Sequence, residues 1–280
     1  MLKKIFDFFV FTSLFIATCA VLMVYQASLL FDVSFSLPLY AFVFFGSVCS
    51  YNFHWFLTPP DVPATSYKMR WNLSNRNLHL VLALIGAVGA GVCCILLLKH
   101  WVWLALTAFF TFLYSAPMIQ HPLFTWLRRI AVGKTIYLAA AWTHVTSFLP
   151  LVISLKSLSA VHVWYVVNRF FFLYAICIVF DRRDVESDRR AGIRSLITYF
   201  SAAGIDRLFW FSTAVTAITS YLLTRWLAPL DVVILLLPAL IMALLYQSSK
   251  QSKSDYLYYF LLDGLMALSA PILILAKFAR

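Results

Sequence analysis

Apolar residues run through this chain in stretches of about 20, the length an α-helix needs to cross a lipid bilayer. Short polar breaks separate them. Nine segments are predicted as membrane helices: 8–31, 37–57, 78–98, 100–119, 131–155, 160–181, 205–227, 231–247 and 255–277. The breaks carry Pro, Asp, Ser and basic residues, as helix ends and turns do. In "LTPPDVPATS", Pro59, Pro60 and Pro63 end the second segment, because each lacks a backbone donor and clashes with the preceding turn.

Composition agrees with this pattern. The chain is 63% hydrophobic and 12% charged, against about a quarter charged in a soluble domain. No polar stretch exceeds about 25 residues, too short to bury a core of its own. The expectation is an all-α, polytopic membrane protein, a single transmembrane domain over 1–280. The opening "MLKKIFDFFVFTSLFIATCAVLMV" resembles a signal peptide and is read as an uncleaved first span. The five cysteines lie in apolar runs and read as small packing residues.

Lys and Arg set the orientation. With the N-terminus in the cytoplasm and nine alternating spans, sixteen of the 22 basic residues fall on the inner face and five on the outer, with Arg169 inside a span. The expected location is a bacterial inner membrane, N-terminus cytoplasmic and C-terminus outside. The net charge of +11 is thereby a topology signal, and no nucleic-acid partner is expected.

One stretch departs from the greasy pattern. Residues 180–195 read "FDRRDVESDRRAGIRS", and four of the chain's eleven acidic side chains lie between Asp181 and Asp188. Glu186 is the only glutamate. On a helix continuing from the sixth span, Asp181, Asp184 and Asp188 share one face. Three stacked carboxylates repel unless a cation lies between them. Mg²⁺ suits such a site: it takes one or two carboxylates and leaves positions for phosphate oxygens. Neighbouring arginines such as Arg182 and Arg189 can neutralise the remaining phosphate charge. That chemistry is departure of diphosphate from an organic group. The plainer alternative is a solvated helix end laced by pairs such as Glu186 with Arg189 or Arg190.

"DRRDVESDRRAGIRS" resembles the second aspartate-rich motif of the UbiA superfamily of intramembrane prenyltransferases, with Asp181, Asp184, Asp188 and Gly192 at matching positions. "FLYSAP" (112–117), followed by "LRRIAVGK", is similar to the family's fourth-span exit and the start of its fifth span. The resemblance implies nine helices around a central cavity open sideways to lipid. It implies Mg²⁺ on the aspartates as metal ligands and catalytic groups, an isoprenyl diphosphate donor, and a lipophilic, often aromatic, acceptor. It also implies a first aspartate motif after the second span. There, "YNFHWFLTPPD" supplies Asn52, but Phe53, Phe56 and Pro60 occupy the aspartate positions, and Asp61 follows one residue late. Three readings stay open: a divergent transferase using one metal site plus cations such as Lys68 and Arg70, a relative acting on a different lipid, or a catalytically silent lipid-binding or scaffold protein.

Further candidates for substrate contact carry alternatives. His54 is a ligand or base at the cavity mouth, or an interfacial histidine beside Trp55. Lys134 is a diphosphate cation or a snorkelling interfacial lysine. Arg169 and Asp263 lie inside spans, where charge is expensive. They line the cavity, or pair with each other or with backbone carbonyls. Phe170 to Phe172 are candidates for a prenyl channel. A transporter is disfavoured because the polar cluster lies at the inner mouth and not at the midplane.

Overall fold

The structure, a computed structural model, describes residues 1–59, 64, 66–115, 134–190, 199–252 and 254–279. Of residues 114, 115, 134 and 186–190 it describes the backbone alone. Among the described residues every element is helical: α1 (Leu2–Phe11), α2 (Leu14–Phe31), α3 (Leu37–Leu57), α4 (Tyr67–Ser74), α5 (Arg76–Leu96), α6 (Trp101–Ser115), α7 (Lys134–Thr143), α8 (Leu149–Ser154), α9 (Ala160–Arg190), α10 (Ala202–Leu223), α11 (Pro229–Ser249), α12 (Asp263–Ala267) and α13 (Ser269–Phe278). π-Helical turns at His144–Phe148 and Leu257–Leu262 join α7 to α8 and lead into α12.

Six helical stretches among the described residues are long and apolar enough to cross a membrane: Leu14–Phe31, Arg76–Leu96, Thr135–Ser154, Ala160–Val185, Pro229–Ser249 and Leu257–Phe278. Helices also occupy the described parts of the other expected segments. α3 and α10 have 21 and 22 residues but fall short in hydropathy, and the described apolar stretch Leu98–Leu113 is shorter.

The first predicted span is corrected. The segment 8–31 is not one helix, because the chain turns at Ser13, whose φ of 65° is left-handed. The apolar run hid this break, since neither Gly nor Pro marks it. The turn aims α1 so that its buried Asp7 accepts from the Tyr67 hydroxyl at 2.9 Å and the Tyr256 hydroxyl at 2.5 Å. The candidate crossing helix begins at Leu14.

α9 forms the centre of the bundle. All eight residues from Phe172 to Val179 are buried, as a helix surrounded by others must be. Asn168 fixes α10 to it: its Nδ2 lies within hydrogen-bond distance of Thr216 O, Thr219 Oγ1 and Ser220 Oγ. α3 and α5 approach so closely at Gly86 that a Cβ there would lie 2.6 Å from Cys49 N and 2.8 Å from Phe45 O. Small residues permit such backbone contact between membrane helices. Pro238 lies inside α11 and cannot donate to Ile234 O. The Ser269 hydroxyl of α13 donates to that carbonyl instead, at 3.0 Å, which keeps the backbone satisfied away from water. The five cysteines are free thiols and are buried or half-buried.

Candidate active site at the C-terminal end of α9

The aspartate-rich turn of α9 meets α7, α4 and the π turn before α12 at one end of the bundle. Asp181 is 6% exposed and accepts from the hydroxyl of Thr135, itself 1% exposed, on the first turn of α7. One turn on, Asp184 accepts from Arg183 Nε at 2.9 Å. Asp188 lies a further turn along the same face of the helix, and its side chain and that of Arg189 fall outside the described residues. The same holds for the side chain of Lys134, whose backbone opens α7.

Two cations meet beside these carboxylates. Arg183 Nη2 donates to the Tyr259 hydroxyl at 2.6 Å, and its guanidinium lies 4.4 Å over the Tyr258 ring. Its Nη1 is buried without a hydrogen-bond partner. Lys68, on α4, is 5% exposed. Its backbone N–H donates to Asp255 Oδ2 at 2.7 Å, and its Nζ lies 3.5 Å from the Tyr259 ring centroid. Burial pushes the Lys68 ammonium below the usual lysine range. Asp263 opposes that push, Arg183 adds to it, and Asp255 opposes it. Asp263 is buried with Lys68 and Arg183 as the charges acting on it. Tyr259 is thus shared by both cations, and Asp263 is their common counter-charge.

The remaining candidates divide. Arg182 turns away from the aspartate face. Its Nη1 donates to Asp206 of α10 and, at 3.1 Å, to the Tyr246 hydroxyl of α11. Tyr246 and Lys250 also donate to Asp206, at 2.5 and 2.9 Å. This cluster ties α9, α10 and α11 together, and Arg183 takes the place at the site that the sequence suggested for Arg182. A helical wheel explains why the two were indistinguishable. Centred between Asp181 and Asp184, residues 182 and 183 are displaced equally to either side, by about 130°.

Asn52 is buried and fully engaged. Its Nδ2 donates to Thr12 O at 2.9 Å and Val48 O at 2.8 Å, and its Oδ1 lies 2.7 Å from His79 Nδ1. His54 is half-buried, edge-to-face with Trp55. Arg70 is exposed, and Asp61 lies outside the described residues. Arg169 does not pair with Asp263. It takes the Met266 carbonyl at 2.9 Å.

Phe170 and Phe171 line an apolar groove of about 380 Å³ with Phe110, His144 and Phe148, between α6, α7 and α9. Phe172 lies instead beneath the Arg169 guanidinium. Two of the helices that wall the groove, α7 and α9, also carry the Thr135–Asp181 hydrogen bond.

Comparison of the chain with protein-family models, curated proteins and solved structures finds no match.

The fit of a divalent cation differs between the two sides of the site. Asp181 and Asp184 offer hard carboxylate oxygens on successive turns, and Mg²⁺ needs only one or two carboxylates when phosphate supplies further ligands. Among the described residues the Asn52 side offers none, because the Asn52 amide is taken up by three protein contacts. Among the described residues no group of three His, Cys, Asp or Glu could hold a metal. The described residues fit one cation on α9 and not a second beside α3.

Proposed function

We propose that the chain is a UbiA-like intramembrane prenyltransferase with nine membrane-crossing helices, its N-terminus cytoplasmic and its C-terminus outside. It moves an isoprenyl group from an isoprenyl diphosphate to an aromatic or other lipophilic acceptor. The observation that carries this reading is Asp181. It is 6% exposed, on an apolar helix, one turn from Asp184, which pairs with the half-buried Arg183, and Arg183 shares Tyr259 with the buried Lys68. Burying this much charge is expensive unless something is to be bound there.

Asp181, Asp184 and Asp188 would hold a single Mg²⁺, which supplies positive charge to a departing diphosphate. Arg183 then binds phosphate oxygens through its unpartnered Nη1, and the Lys68 ammonium adds charge where the first aspartate motif would have recruited another metal. Asp263 is the buried carboxylate whose charge acts on both cations. The apolar groove along α7 and α9 receives an isoprenoid or acyl chain from the bilayer.

The second reading, a silent lipid-binding or scaffold protein on the same fold, is favoured by one specific observation: the Asn52 amide, the only remnant of the first motif, is spent on structure.

Binding of geranyl diphosphate to the purified full-length chain, with and without Mg²⁺, separates the two. The transferase reading expects Mg²⁺-dependent binding that weakens by about tenfold or more, at least ~1.4 kcal/mol, in Asp181→Ala, Asp184→Ala and Arg183→Gln while the proteins stay folded. Equal binding in wild type and variants removes it. No binding, with lipid co-purifying in a fixed ratio, establishes the second reading.

A further inference from the structure

α1, ten residues long, is neither one of the candidate crossing helices nor a carrier of the aspartates. α2 alone has 18 residues, about 27 Å of helix, close to the ~30 Å of a hydrocarbon core. The left-handed turn at Ser13 therefore sets α1 at the edge of that core, level with Tyr67 and Tyr256.

Two opposite faces divide α1. Asp7, Val10 and Phe11 are buried against the bundle. Asp7 takes the two tyrosine hydroxyls, and the Phe11 ring packs on Tyr67, Trp71 and Tyr256 with centroids 5.6, 5.7 and 6.1 Å away. Leu2, Ile5 and Phe9, spaced i, i+3 and i+7, share the other face. With Phe8 beside them, all four are exposed, Leu2 by 82% and Ile5 by 58%. Lys3 and Lys4 flank this apolar face, one on either side, and are exposed as well.

The apolar surface continues beyond α1. Phe9 meets Phe15 with ring centroids 5.8 Å apart, Phe15 meets Phe260 at 5.0 Å, and Phe260 meets Phe6 at 4.9 Å. Phe260 and Leu261 are exposed on Leu257–Phe278, a stretch long and apolar enough to cross a membrane. One greasy surface thus runs from a candidate crossing helix onto α1. Apolar side chains in this number are not left to water, and lysines beside them select a partner that is both apolar and anionic. A helix with this division lies in the plane of a membrane interface.

We propose that α1 is an interfacial anchor: Leu2, Ile5, Phe8 and Phe9 enter the boundary between headgroups and acyl chains, and Lys3 and Lys4 bind anionic lipid headgroups. This surface is independent of the transferase reading. It presses α1 onto the bundle, and with it Phe11, whose ring centroid is 5.9 Å from Lys68 Nζ.

The test is amide hydrogen exchange of the full-length chain in lipid nanodiscs, read by mass spectrometry on the peptide that covers α1. One disc is pure phosphatidylcholine, and the other also contains phosphatidylglycerol as the anionic lipid. The α1 amides are expected to exchange about tenfold or more slowly in the anionic disc. Lys3→Gln combined with Lys4→Gln removes that difference, and Ile5→Ser combined with Phe9→Ser speeds exchange in both discs. Peptides from α10 should exchange alike in every variant, which shows that the fold is intact. Equal exchange of α1 in the two discs, or a difference that survives loss of both lysines, overturns the proposal and leaves α1 held by Asp7 and its tyrosines alone. Slow exchange confined to discs holding two copies of the chain also overturns it, because a second copy then covers the face.

Discussion

Lys68 and Tyr259, 191 positions apart in sequence, meet with the ammonium 3.5 Å from the ring centroid. The contact brings α4, a short helix between longer ones, against the π turn before α12. It also accounts for a buried lysine near the aspartates of α9: the ring face offers a partial negative charge in place of water.

This burial has a pH consequence. The Lys68 ammonium is pushed below the usual lysine range chiefly by desolvation. Between its native-state pKa and the unfolded value of about 10.4, the unfolded chain binds more protons than the folded one, so stability rises with pH. Melting temperatures in detergent are expected to climb from pH 7 toward pH 10. Lys68→Met should flatten that climb, and a slope as steep as wild type would contradict the assignment.

Asp206 accepts from Arg182 of α9, from Tyr246 of α11 and from Lys250 at the end of α11; the two cations are partly exposed and Tyr246 is buried. Asp206→Ala is expected to lower stability by about 1–3 kcal/mol, a drop of some 2–4 °C per kcal/mol in thermal unfolding. Combined with Arg182→Ala the loss should fall short of the sum, because both act on one cluster. Arg182→Ala alone should leave geranyl diphosphate binding intact, in contrast to Arg183→Gln.

Gly86 and Gly91 offer a matched pair on α5. A Cβ at Gly86 would collide with the backbone of α3, whereas one at Gly91 meets nothing within 4 Å. Gly86→Ala should destabilise by about 1–3 kcal/mol through overpacking. Gly91→Ala should be neutral or stabilising by up to about 1 kcal/mol, since alanine is the better helix former. Thermal denaturation of the two variants side by side reads the difference.

The Ser269 hydroxyl serves a carbonyl that Pro238 leaves unbonded. Ser269→Ala is expected to cost about 1–3 kcal/mol. In a Pro238→Ala background the backbone N–H returns, and the same substitution should cost less than about 0.5 kcal/mol. A double-mutant cycle on unfolding midpoints measures that coupling.

Some of this was legible in the sequence. Apolar runs placed the helices, and the spacing of Asp181 and Asp184 put both carboxylates on one end of α9. Arg183 was not legible, because two adjacent arginines flank that face symmetrically and only tertiary packing chooses between them. The bend at Ser13 was hidden because Thr12 and Ser13 are ordinary in a membrane helix, and the contacts it gives Asp7 are with residues far along the chain. Asn52 read as a motif remnant. Its engagement with Thr12 and His79 depends on α1 and α5 and leaves no periodic trace. The grouping of Lys68, Arg183 and Asp263 likewise unites three distant segments that no local pattern connects.

Asp7 accepts from Tyr256, a residue 249 positions later. During synthesis that carboxylate is made long before its second donor. The hold on α1 is therefore complete only after α2 to α11 have all been made. A helix laid down early is seated late.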